Sequence, residues 1–182
     1  MKSIGEMTIG EFGAFVSDHL MKQNIGVVLS GGGCVSIYSH NRYQSFDLDF
    51  VGGYGAERKM VKKVLMDLGF AEQNKYFTHP ESKFYVEFPS GPLAVGGEPV
   101  KDVVELVFST GKLRLLSPTE CVKDRLAAYY HWQDRQCLEQ ATMVAAENQI
   151  DFDEVERWSE REGMIEKFRK ILKILNGEDP II

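Results

Sequence analysis

The apolar positions fall into short runs of two different periods, and the change of period divides the chain. Thr8 and Glu11 have the form of a capping box, and Phe12, Phe15, Val16 and Leu20 follow at helical spacing, which predicts a helix over residues 9–22. Residues 26–29 are a short apolar run with two valines, which predicts a buried strand. Three glycines, Gly31 to Gly33, come next, and residues 34–39 predict a short helix. Residues 41–45 are polar and loop-like, and residues 47–51 alternate as a second strand that Gly52 and Gly53 end. Met60, Val61, Val64, Leu65 and Leu68 mark one face of a helix over residues 56–68, with Gly69 as its stop.

Residues 75–78 and 83–88 flank His79 and Pro80 and predict a hairpin, and residues 103–108 and 112–116 predict two further strands. Beyond them the pattern becomes helical. Ser117, Pro118 and Glu120 combine a capping serine, a proline at the first helical position and the box glutamate, and predict one long helix to about residue 147. Asp151 and Glu154 open further helix, and Gly177 closes the last one. The expected fold class is therefore α/β (α+β), a mixed sheet flanked by helices with a C-terminal helical extension. No Pro/Gly/Ser-rich linker separates the two parts, so the helices should pack on the sheet-bearing part.

Composition adds limits. The chain has 182 residues, 43% hydrophobic and 26% charged, and a net charge of −6 with pI near 5.3. Non-specific coating of nucleic acid depends on neutralising many phosphates, and this balance opposes it. A local basic groove or a mononucleotide ligand stays compatible. The three cysteines, Cys34, Cys121 and Cys137, are scattered and form no C-x-x-C pair, which suits free thiols in a reducing cytoplasm. The start of the chain lacks a signal-peptide apolar region, and no run approaches the roughly 20 apolar residues that span a bilayer. A cytoplasmic protein without a membrane partner is expected.

The candidate chemistry lies in the first half. Glycines between a buried strand and a helix let a backbone approach an anion, and the helix N-terminus adds donors and a dipole. A tight strand-to-helix turn is the plain alternative. In a strand, Asp47 and Asp49 share one face while Leu48 and Phe50 share the other. Two adjacent carboxylates repel unless a cation lies between them, and Mg²⁺ bridged to phosphates is the usual oxygen-liganded solution. Glu87 either joins them or faces solvent. The four histidines show no metal-ligand spacing. A P-loop fails because no Gly-Lys-Ser/Thr follows the glycines. A dinucleotide site is disfavoured because the segment before the acids is polar rather than a full helix and strand.

The residues from Leu29 through the glycines to Ser36, then Arg42 and the stretch Asp47-Leu48-Asp49-Phe50, resemble the signature of the minimal nucleotidyltransferase superfamily. Within it the chain is most similar to the AbiEii-like toxin group and related small bacterial nucleotidyltransferases. The resemblance implies that Asp47, Asp49 and Glu87 hold Mg²⁺ or Mn²⁺ and carry catalysis. It implies that Ser30, Gly31, Gly32, Gly33 and Arg42 form the nucleotide site. Gly33 stands where the family commonly has serine or threonine, which removes a hydroxyl contact to the phosphates. Lys123 and Asp134, eleven residues apart and about three turns along one helical face, match a lysine and an aspartate of the toxin group. Lys123 would contact phosphate, and Asp134 would orient it or act as base.

The implied architecture is a nucleotidyltransferase-like core over residues 1–115 with a helical segment over 116–182. The implied activity is transfer of an NMP from an NTP to a hydroxyl on RNA or protein, in a toxin–antitoxin setting with an antitoxin partner. The alternative is a catalytically inactive nucleotide-binding or interaction module with the same fold.

Overall fold

The computed structural model describes residues 2–52 and 58–180. Its first helix, α1 (Ile9–Met21), starts where the capping box predicts: the Thr8 side chain accepts from the Glu11 amide, and the Glu11 carboxylate accepts from the Thr8 amide at 2.8 Å. Phe12, Val16 and Leu20 are fully buried on one face, as a 3.6-residue period requires. The strand β1 (Val27–Ser30) follows, and its last residue is the N-cap of α2 (Gly31–Tyr38). The glycines are thus the first turn of the helix itself rather than a loop before it.

After the loop come β2 (Asp47–Gly52) and α3 (Arg58–Asp67). The expected helix start at Ala56, and Gly53 as the end of β2, lie outside the described residues. Three short strands succeed them, β3 (Ala71–Gln73), β4 (Tyr76–Thr78) and β5 (Tyr85–Glu87). The two-residue strands β6 (Ala94–Val95) and β7 (Glu98–Pro99) form a separate hairpin, and β8 (Val103–Phe108) and β9 (Gly111–Leu116) a longer one.

Seven strands make one mixed sheet in the order β3-β4-β5-β2-β1-β9-β8. β1 runs antiparallel to β2 and parallel to β9, while β2 runs parallel to β5. The helix α1 covers one face. A Cβ at its Gly13 would lie 3.1 Å from Leu48 and 3.4 Å from Leu113, so backbone and sheet meet closely there. Leu48, Phe50, Phe77 and Val86 are fully buried in the same core.

The single long helix predicted after Ser117 is two: α4 (Pro118–Trp132) and α5 (Arg135–Glu147). Gln133 adopts a left-handed conformation, φ 55°, and Asp134 then caps α5 by accepting from the Gln136 amide at 3.0 Å. The start of α4 is as predicted, with Ser117 accepting from the Glu120 amide and proline in the first turn. The last helices are α6 (Phe152–Arg161) and α7 (Ile165–Leu175). Both α4 and α5 pack on α2, α4 also meets β9 and α6, and α5 meets α7. No helix among the described residues is long and apolar enough to cross a membrane.

Candidate functional site

Alternation in β2 sends Leu48 and Phe50 into the core and leaves Asp47 and Asp49 half-buried on the opposite face. Pairing then lines up a row of polar residues. Ser30 of β1 lies opposite Asp49, Asp49 opposite Glu87 of β5, and Glu87 opposite Tyr76 of β4. Residues in register on neighbouring strands stand about 5 Å apart on one face, so Asp49 and Glu87 are side by side. Asp47 is next to Tyr85 in the same way.

The start of α2 closes on this row. Gly31 has φ +66°, a conformation that disfavours any side chain, and a Cβ there would lie 2.6 Å from Asp49 Oδ2. The carboxylate therefore occupies the space that a side chain at position 31 would need. Ser30 places no side-chain cap on the helix; its hydroxyl is donated instead to the Asp49 carbonyl at 3.2 Å. The first amides of a helix have no intrahelical acceptor, so this end faces the acids with donors to offer. At Gly32 a Cβ would meet Ser45 Oγ at 3.2 Å and the Tyr43 ring at 3.4 Å. At Gly33 it would meet Leu29 at 3.2 Å and the Asp47 carbonyl at 3.5 Å. Position 33 is buried, and a side chain there would start packed against Leu29.

Each acid has a partner or a penalty. Asp47 Oδ1 accepts a very short hydrogen bond from the Ser45 hydroxyl, and the Ser45 amide donates to Ser36 Oγ at 2.8 Å. Glu87 is ion-paired to Lys75 at 2.9 Å. Asp49 has no such partner among the described residues: burial, then the charges of Asp47 and Glu87, push its carboxyl up to about 6. Among the described residues no three acid, histidine or cysteine side chains are gathered as a ready-made ligand set. The donor chemistry still fits a hard cation. Two oxygen donors on one strand, with a desolvated carboxylate crowded by like charge, suit Mg²⁺, which binds through one or two carboxylates plus substrate phosphates.

Other expected site residues are placed differently. Lys123 is enclosed, with its ammonium 3.0 Å from Glu120 and 3.1 Å from Glu154 and near the Trp158 ring. It shares no helical face with Asp134, because α4 ends before that residue and Asp134 caps α5. Arg42 reaches away to Glu147 at the end of α5, at 3.0 Å.

On α4, Arg125 is ion-paired to Asp124 and donates to Gln140 of α5 at 3.3 Å. The charge of Arg125 acts on both Asp49 and Tyr43, drawing each down against burial. Burial opposes the charge of Arg125 itself, but the Asp124 carboxylate outweighs it and the guanidinium is held firmly protonated. A sequence signal for Arg125 exists. It sits four residues after the buried Cys121 and three after the buried Val122, a charged residue beside an apolar stripe.

Known structures share this architecture. An antigenic nucleotidyltransferase-like protein from Paracoccidioides brasiliensis aligns with TM-score 0.58 over 76% of this chain and 75% of its own, at 14% identity. The chain has a nucleotidyltransferase-like fold. The solution structure of the antibiotic-resistance factor ANT(2'')-Ia aligns with TM-score 0.50 over 90% of this chain and 92% of its own, at 13% identity. No protein-family model matches the sequence, and no curated protein does. The likeness is therefore one of fold.

Proposed function

We propose that the protein is a metal-dependent nucleotidyltransferase that moves an NMP from an NTP to a hydroxyl on RNA or protein. The observation that supports this best is the register of β1, β2 and β5, which sets Asp49 between Gly31 and Glu87. Residues 1–115 carry the chemistry in this reading, and residues 116–182 cover it.

The amides of Gly31 and Gly32 and the dipole of α2 bind the phosphates. Asp47 and Asp49 would hold Mg²⁺ or Mn²⁺, which when bound neutralises phosphate charge and favours in-line attack. Ser45 fixes the Asp47 carboxylate through its hydroxyl. The acceptor oxygen forms a bond to the α-phosphorus as the bond to pyrophosphate breaks, and pyrophosphate leaves with that electron pair. Glu87, at the outer end of the acid row, takes the acceptor proton after Lys75 is displaced. A toxin role, with an antitoxin partner in the cytoplasm, is the biological setting that the sequence resemblance suggests. The Lys75–Glu87 ion pair favours one other reading, a nucleotide-binding module that keeps the fold without turnover.

Incubation with Mg²⁺ or Mn²⁺, each α-labelled NTP, and total RNA or protein separates the two. Label should pass to one class of macromolecule and be lost in Asp47→Asn and Asp49→Asn. No transfer, together with unchanged nucleotide and Mg²⁺ binding in Asp49→Asn, defeats the enzyme reading.

A further inference from the structure

The loop that leads into β2 carries an aromatic side chain that the fold does not bury. Phe46 directly precedes Asp47, and its ring is 46% exposed. Its carbonyl accepts from the Tyr85 amide at 3.0 Å, which ties it to the start of β5. With Asn41, Gln44, Ser45, Lys83 and Glu6 it lines a cavity of about 420 Å³. Ser45 belongs to this cavity and to the acid site at once, because its hydroxyl donates to the Asp47 carboxylate. A ligand seated against Ser45 is thus one residue away from the acid.

The wall offers three kinds of contact. The Phe46 ring stacks on Phe84, with centroids 6.4 Å apart and planes 29° apart. The Lys83 ammonium stands 5.9 Å from the Phe46 centroid and 5.2 Å from that of Phe84, and it makes no ion pair among the described residues. The side-chain amides of Asn41 and Gln44 are exposed and make no hydrogen bond among the described residues. Glu6, across the cavity, accepts from the Ser3 hydroxyl at 2.7 Å. An aromatic face, an unpaired cation and free amides match the base plane, the phosphodiester, and the base edges and ribose hydroxyls of a single strand. One cation beside one acid suits the end of a strand, since a longer backbone needs more phosphates neutralised. A peptide acceptor brings no obligatory charge for Lys83 to meet.

We propose that this cavity is the acceptor site, and that the acceptor is the end of a single-stranded RNA whose last base stacks on Phe46. The flexible stem of Lys83 lets its ammonium leave the rings for the adjoining phosphodiester. This rests on the nucleotidyltransferase reading above and names RNA rather than protein as its acceptor. The terminal hydroxyl then lies towards Asp47, past Ser45.

The test is fluorescence titration of the full chain, with Mg²⁺, using a short dye-labelled single-stranded RNA with a free terminal hydroxyl. The same sequence as single-stranded DNA and as RNA duplex, and calorimetric titration of each NTP, run beside it. Phe46→Ala should weaken the RNA about 5- to 100-fold, the loss of one stacked base. Phe46→Tyr, which keeps the aromatic face, should stay within about threefold. Lys83→Gln should weaken it less and reduce its salt slope by about 0.7. NTP binding should stay at the wild-type level in all three. RNA binding at wild-type strength in both Phe46→Ala and Lys83→Gln overturns the assignment, as does DNA or duplex binding as tight as the single-stranded RNA. Label transfer that reaches protein and no RNA overturns it as well. Loss of the cooperative melt in Phe46→Ala, with wild-type RNA binding by Lys83→Gln, assigns the ring to the fold and does the same. NTP binding by the wild type leaves the parent reading standing in each of these cases. Absence of NTP binding defeats the parent reading and the acceptor site with it.

Discussion

Replacing Gly31 by alanine tests the junction between the helix and the acids most directly. The residue has φ +66°, and the added methyl would lie 2.6 Å from Asp49 Oδ2. The left-handed conformation alone costs an L-residue about 1–2 kcal/mol. For a chain of this size that lowers the melting temperature by about 2–8 °C. Gly163 supplies the control, since it has φ +72° with nothing within 4 Å of an added Cβ. Gly163→Ala therefore reports backbone strain alone, and any excess in Gly31→Ala reports the expulsion of the Asp49 carboxylate. That carboxylate must swing or the helix must shift, and a displacement of about 1 Å at a reacting centre costs on the order of 100-fold in rate. Thermal unfolding of both variants, with label transfer by Gly31→Ala, forms the assay. Equal melting of the two variants with wild-type transfer by Gly31→Ala would show that Asp49 does not pack on Gly31.

Three further outcomes are expected. Burial and the charges of Asp47 and Glu87 push the Asp49 carboxyl up to about 6 from its ordinary 3.8, so the native state holds the extra proton between those values. The stability present below about pH 4 is lost as pH rises through about 6. At about 1.4 kcal/mol per unit the loss is roughly 2–3 kcal/mol. Urea unfolding with a chelator should show Asp49→Asn gaining on the wild type across that window, and a pH-independent gap refutes it. Lys123→Met strands buried Glu120 and should cost about 3–5 kcal/mol, with Glu120→Gln/Lys123→Met recovering most of the loss. No recovery in the denaturation midpoint argues against the buried ion pair. Gln133→Gly removes a left-handed side chain and should stabilise the chain by about 1 kcal/mol in the same measurement, whereas destabilisation would mean that the α4–α5 break is misplaced.

What could be read from the chain follows how local its cause is. The capping box at Thr8, the serine–proline start of α4 and the alternation in β2 act within a few residues, and each appears where the pattern predicts it. The break at Gln133 carries no glycine or proline, so helical periodicity runs straight through it. Its local sign is Asp134, a good cap for a new helix, which the toxin-group resemblance had placed in mid-helix. The strands β3, β6 and β7 are two or three residues long and exist only through their pairing. Lys123 shows the same limit. Glu120 is three residues away and visible in the sequence, but Glu154 comes from α6 and closes the cage through tertiary packing.

The position of Glu87 is the most instructive case, because spacing in the sequence leaves it open. Whether it joins the acids depends on strand register, since a single-residue slip turns every side chain of β5 to the other face. That register is fixed from behind the sheet. Val86 pairs with Leu48 on one side and Phe77 on the other, and all three are fully buried. A slip would turn Val86 out of this core, at a cost of about 1.5–3 kcal/mol for that side chain alone. The contact between Asp49 and Glu87 costs free energy through like-charge repulsion, yet the apolar row opposite outweighs it. The acid row is thus enforced by packing on the face that does no chemistry. A substitution such as Val86→Thr should therefore loosen the site without touching an acid, lowering label transfer more than it lowers the melting temperature. If Val86→Thr melts early but its folded fraction transfers label at the wild-type rate, the register does not depend on that side chain.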